Sequence, residues 1–143
     1  MNPDHPAIIY VATHKGLLQR NPEGKWFWMG KKRADYMGFT IDPDDNQRFY
    51  ASGHPSTGGN LGFQMSENHG QDCQQIAMPG VDFHTLTKAS ADHPHGKGAF
   101  YGWAVSGKNE LYTSKDGGKT WTQPRAVGLK DAPFELVALP ATT

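Results

Sequence analysis

Apolar and polar residues alternate along this chain in short runs, and turn-forming residues interrupt the alternation every few positions. Period-two patterning with β-branched and aromatic content predicts strands near 8–13, 16–20, 25–29, 36–42, 48–53, 60–66, 73–77, 83–88, 98–105, 108–114, 119–123 and 134–139. Between them lie Gly, Pro, Asn, Asp and Ser, which supply the backbone conformations that tight turns need. Long helices are not expected, because no segment sustains a 3.6-residue period.

The runs repeat. Ile9-Tyr10-Val11-Ala12-Thr13-His14 aligns with Phe49-Tyr50-Ala51-Ser52-Gly53-His54 at an offset of 40, and Asn2-Pro3-Asp4 falls on Asp42-Pro43-Asp44 at the same offset. Phe100 to Val105 is the third member of that set. A second set comprises Tyr36-Met37-Gly38-Phe39, Phe83-His84-Thr85-Leu86 and Phe134-Glu135-Leu136-Val137. A turn motif recurs as well, in full as Ser114-Lys115-Asp116-Gly117-Gly118-Lys119-Thr120-Trp121 and in weaker copies from Ser66 and from Arg20. Arg20 to Ser66 spans 46 residues and Ser66 to Ser114 spans 48, the length of one four-stranded propeller blade.

These features predict an all-β protein of antiparallel β-propeller blades. With strands A to D counted outward from the axis, the chain reads B-C-D, A-B-C-D, A-B-C-D, A, or three blades' worth. The repeats run over about 1–34, 35–80 and 81–131, with a final strand in 132–143. The last segment lacks B, C and D partners, and the first lacks its A strand. Three blades are too few to close a ring, so two outcomes stay open. Two chains join head to tail as a homodimer with a six-bladed ring, or the chain is part of a longer propeller.

Composition fits this picture. The 143 residues include 17 Gly, 10 Pro and 11% aromatics, as a turn-rich β protein requires. Fourteen basic and 14 acidic residues balance, so neither nucleic acid nor an anionic membrane surface is an expected partner. No apolar run is long enough to span a bilayer, and no signal-peptide pattern is read at the N-terminus, which leaves a cytoplasmic location open. Cys73 is the single cysteine; it stands where the repeat elsewhere has Trp and reads as a buried filler.

Topology sorts the loops by face. His14 and His54 occupy equivalent B-to-C corners, and His84 lies early in an A strand, so all three fall at one mouth of the channel. Asp35, Tyr36, Met37 and Asp82 begin A strands at the same mouth, and Glu135 is the counterpart of His84 in the last strand. Any one of these histidines alone reads as structural, but His14, His54 and His84 together read as candidate ligands for a transition metal, zinc or copper. Tyr36, Met37 and Asp82 are candidate ligand-binding residues, and Asp35, Asp82 and Glu135 are the carboxylates available to a glycosidase. His5, His69, His93 and His95 read as surface residues away from this mouth.

Other chemistries find little support. Of Arg20, Arg33, Arg48 and Arg125, only Arg33 comes near the mouth, so the arginine triad of a sialidase is not assembled. There is no Gly-x-Ser-x-Gly elbow, and Ser56-Thr57-Gly58-Gly59-Asn60 lacks the lysine of a phosphate loop.

The form Ser-x-Asp-x-Gly-x-x-Trp resembles the Asp-box (BNR) motif of sialidase-like and sortilin-like propellers. The ordered blocks Ala12-Thr13-His14-Lys15-Gly16-Leu17, Met37-Gly38-Phe39, Ser52-Gly53-His54-Pro55, Asp82-Phe83-His84 and Tyr101-Gly102 resemble a bacterial sortilin/sialidase-type family labelled glycosylhydrolase-like. That resemblance implies an exported propeller, usually about twice this length, with a further histidine-containing segment at its start. It also implies sugar processing, although the label follows fold similarity. Two functions are therefore expected. The first is a non-catalytic platform for a small-molecule, glycan or protein ligand, with a histidine-rich, metal-binding channel mouth. The second is a glycosidase-like enzyme using the carboxylates there.

Overall fold

A computed structural model describes residues 7–139; Asn2-Pro3-Asp4, His5 and the last residues of the final repeat lie outside them. Among these described residues ten strands form three antiparallel sheets: β1 (Ile9–Thr13), β2 (Gly16–Arg20) and β3 (Trp26–Trp28); β4 (Ala34–Ile41), β5 (Phe49–Pro55), β6 (Phe63–Ser66) and β7 (Gln74–Ala77); β8 (Phe83–Lys88), β9 (Phe100–Ala104) and β10 (Glu110–Ser114). Each sheet is an up-and-down meander, with strand orders β1-β2-β3, β4-β5-β6-β7 and β10-β9-β8. β4 contacts both β1 and β8, so the sheets stand side by side on their inner strands as propeller blades do. The all-β, antiparallel blade architecture is that read from the alternation.

The core lies in the two seams between blades. Leu17, Met29, Ala34, Tyr36, Ala51 and Cys73 fill the first; Tyr50, Phe63, Phe83, Leu86, Phe100 and Ala104 fill the second. Burial pushes both the Cys73 thiol and the Tyr36 phenol up from their ordinary ranges. Cys73 is thus an inert apolar filler. A polar staple crosses the second seam on the other face. The Lys88 ammonium donates to Asp42 at 2.8 Å and Asp44 at 2.9 Å, and the Tyr50 hydroxyl donates to Asp42 at 2.8 Å.

The recurrent turn has the same bonding in two blades. The Ser114 hydroxyl donates to Asp116 Oδ1 and accepts from the Gly118 amide, while Asp116 Oδ1 accepts from the Thr120 amide. Ser66, Asn68, Gly70 and Asp72 reproduce these bonds. In the first blade Asn21 Oδ1 accepts from the Lys25 amide, so Asn21 is the counterpart of Asn68 and Asp116. The true repeat register there is therefore one residue away from the alignment through Arg20.

Two expected strands differ. The segment 119–123 contributes one bridge, Thr113 with Thr122. Residues 134–139 form no ladder with any described strand. Instead the Leu136 and Ala138 amides donate to the hydroxyls of Thr85 and Thr87 on β8, at 2.9 and 3.1 Å. Alternate amides pointing the same way are those of an extended chain. A ladder needs a neighbouring main chain, and here the acceptors are side chains. Within one chain the segment lies along β8 rather than beside residues 9–13, with Phe134, Val137 and Leu139 exposed.

Candidate functional site

The two seams present one arrangement twice. At each, a strand-to-strand corner of one blade carries a histidine, and the inner strand of the next blade begins with an aspartate followed two positions on by a bulged residue. In the first seam these are His14, Asp35 and Met37; in the second they are His54, Asp82 and His84. The bulges show in the pairing, which skips Met37 between Tyr36 and Gly38 and skips His84 between Phe83 and Thr85. A bulge re-aims the side chain of the extra residue, and alternation along a sequence cannot reveal it.

In the second seam the three side chains converge. His54 Nε2 lies 3.0 Å and His84 Nε2 lies 2.8 Å from the same oxygen, Asp82 Oδ2. The donor atoms of the three residues all fall within 4.8 Å of one another. Asp82 is only 3% exposed, against 40% for His54 and 35% for His84, so a buried carboxylate forms the floor and two half-exposed imidazoles form the rim. Its backbone is held on both sides, since its amide donates to the Ser106 hydroxyl and its carbonyl accepts from the Val105 amide. The other carboxylate oxygen, Oδ1, is buried with no hydrogen-bond partner among the described residues. Leaving such an atom unpaired is costly unless a positive charge sits nearby.

The tautomer of His54 follows from its second nitrogen. Asn60 Nδ2 donates to the Gly80 carbonyl at 2.8 Å, which turns Asn60 Oδ1 toward His54. His54 Nδ1 then faces two acceptors, Asn60 Oδ1 at 3.0 Å and the Gly59 carbonyl at 3.2 Å, and must carry hydrogen. A neutral ring consequently aims the Nε2 lone pair at the Asp82 carboxylate. Two acceptors so close require a proton or a metal ion between them.

The other candidates are distributed differently. His14 pairs through Nδ1 with Asp35 Oδ1 at 2.8 Å and stands apart from the cluster. The Tyr36 side chain is buried beside Cys73. Met37 and Glu135 line a separate cavity of about 360 Å³ that His84 also borders. A larger cleft of about 440 Å³ lies over the first seam, with walls that include His14, Lys15, Trp28, Arg33, Asp35 and His54. Trp28 carried no functional signal in the sequence, where it reads only as a strand residue.

No protein-family model and no curated protein matches the sequence. Solved structures do. The GH74 enzyme of Niastella koreensis aligns with a TM-score of 0.66 and 17% identity, over 86% of this chain and 20% of that one. An ancestral GH74 enzyme aligns with a TM-score of 0.64 and 12% identity, over 85% and 17%. The GH74 xyloglucanase of Xanthomonas campestris aligns with a TM-score of 0.59 and 14% identity, over 92% and 23%. The chain thus spans about a fifth of the length of these proteins. Together with the all-antiparallel sheets, these likenesses give the fold: antiparallel β-propeller blades.

Proposed function

We propose that this chain is a non-catalytic β-propeller module that binds a transition-metal ion, zinc or copper, at His54, Asp82 and His84, and presents the ion's open position to a ligand. The carrying observation is the buried Asp82 carboxylate, with one oxygen shared by two imidazoles and the other unpartnered among the described residues. Ligand atoms about 2.0–2.1 Å from a tetrahedral metal lie about 3.3 Å apart, so the two His–Asp spacings of 2.8 and 3.0 Å widen by a few tenths of an ångström, and the two imidazole nitrogens, no more than 4.8 Å apart, settle at the same value. Three protein ligands leave at least one position for an outside group, as closed structural zinc sites do not. The bond from His54 Nδ1 to Asn60 supplies the outer support that orients a ligating imidazole.

Calorimetric titration of chelator-treated protein with zinc and with copper tests this reading. One ion per chain is expected, with affinity lowered about tenfold or more by Asp82→Asn or His84→Ala and unchanged by His14→Ala. Wild-type protein that takes up no ion, or variants that bind as well as wild type, contradict it.

A second reading draws on the GH74 neighbours, one of which is described as a xyloglucanase. Asp35 and Asp82 stand at one face of the blades and offer two carboxylates for glycoside hydrolysis. Turnover of xyloglucan or another glycoside that disappears in Asp35→Asn or Asp82→Asn, with metal uptake absent, would favour this enzyme instead.

A further inference from the structure

The cleft over the first seam is built differently from the metal cluster. Arg33 is held in place on several sides. Its Nη1 donates to the carbonyls of Gly30 and Lys32, at 3.1 and 3.0 Å, and its guanidinium carbon sits 4.8 Å from the centre of the Trp28 ring. Gly16 makes this packing possible. With φ at +132°, a Cβ there would lie 3.2 Å from Arg33 Cδ and 3.3 Å from Trp28 Cζ3. The hairpin backbone, the indole and the arginine stem are thereby pressed together, and with Nη1 engaged, the guanidinium's Nη2 and Nε donate to no described residue.

Charge and shape specify what fits. Lys15 and Arg33 line the cleft, and its one carboxylate, Asp35, is already engaged by His14. Trp28, Ala34 and Pro55 supply an apolar wall. At about 440 Å³ the volume lies within the range of about 300–1,000 Å³ usual for small-molecule sites. A pre-oriented guanidinium recognises a carboxylate through its planar fork, and the apolar wall suits a ring. We propose that this cleft binds a small organic carboxylate carried on a ring, either an aromatic acid or a sugar acid. His54 borders this cleft as well as the His54–Asp82–His84 cluster, so the test is run without metal.

Chelator-treated protein titrated with benzoate and with glucuronate, each beside its uncharged counterpart, benzyl alcohol or glucose, tests this by amide and indole NMR. At least one carboxylate is expected to saturate, with shifts centred on Trp28, Arg33 and the His14 hairpin, while its neutral counterpart does not. Benzoate alone identifies an aromatic acid, and glucuronate alone identifies a sugar acid. Arg33→Gln should weaken binding about tenfold or more. Lys15→Gln, on the exposed hairpin, tests the same charge without touching the Trp28 packing and should also weaken binding. Neutral compounds that bind as tightly, carboxylates that shift none of these signals, or a folded Arg33→Gln protein that binds like wild type would overturn the proposal.

Discussion

At the scale of single residues, buried charge decides most of what this molecule can do. Asp82 and Asp42 are both almost wholly buried aspartates, but only Asp42 has a full set of partners. Burial raises the Asp42 carboxyl, and the bonds from Lys88, the Asp44 amide and Tyr50 outweigh it, so that its net value falls below the ordinary 3.8. A depressed folded value means that its stabilisation is present above pH 3.8 and is lost as the pH falls below it. Replacing Lys88 by Gln strands that carboxylate, and the expected loss is about 3 kcal/mol, read from urea unfolding at neutral pH and shrinking toward acid. Asp82 has no such ammonium. Its sequence neighbours Phe83 and His84 hinted at a site, but nothing in the spelling of the chain exposed the orphaned oxygen or the role of Asn60, because both depend on a loop folding back across the seam.

At the scale of elements, the turns were the most legible parts, since their chemistry is local. Ser114, Asp116 and Gly118 bond within five residues, and Trp121 packs its ring 5.0 Å from that of Phe63 and 4.9 Å from that of Phe83. Gly118 sits at φ +85°, and a Cβ there would meet Phe63 Cε1 at 2.1 Å. Gly118→Ala therefore combines backbone strain with overpacking and is expected to cost about 2–4 kcal/mol, seen as a lowered thermal midpoint. Bonds from the Thr120 hydroxyl, the Thr120 amide and Ser114 hold Asp116 down at about 2. Its contribution to the turn is fully present above 3.8 and lost as the pH falls through about 2, a titration that carboxyl-detected NMR can follow. Bulges were illegible by contrast. Met37 and His84 read as candidate site residues but at regular strand positions, and only the paired neighbour strand shows that each is the extra residue. The weak first turn was displaced by one residue for a similar reason, because Asn21 supplies the oxygen there without the flanking serine that marks the other two copies.

At the scale of the whole molecule, the repeat period foretold blades standing side by side, and the seams between them carry the candidate chemistry. One seam places two imidazoles over a buried carboxylate, and the other turns the same positions into a cationic cleft. The arrangement at the two ends was less open to sequence reasoning, since pairing between residues 134–139 and β1 is not made within one chain. A second copy can meet both edges, and the 143-residue chain in solution is then expected to show a mass near twice 15.7 kDa by light scattering; a monomer would exclude the two-copy ring for this chain. The proposed metal site does not depend on that outcome, because all of its ligands come from one chain. Its most direct test is diffraction from zinc-soaked crystals at the zinc absorption edge. A single strong anomalous peak about 2.0–2.1 Å from His54 Nε2, His84 Nε2 and Asp82 Oδ2 is the expected result. An empty seam, or a peak found only at His93 and His95, would contradict it.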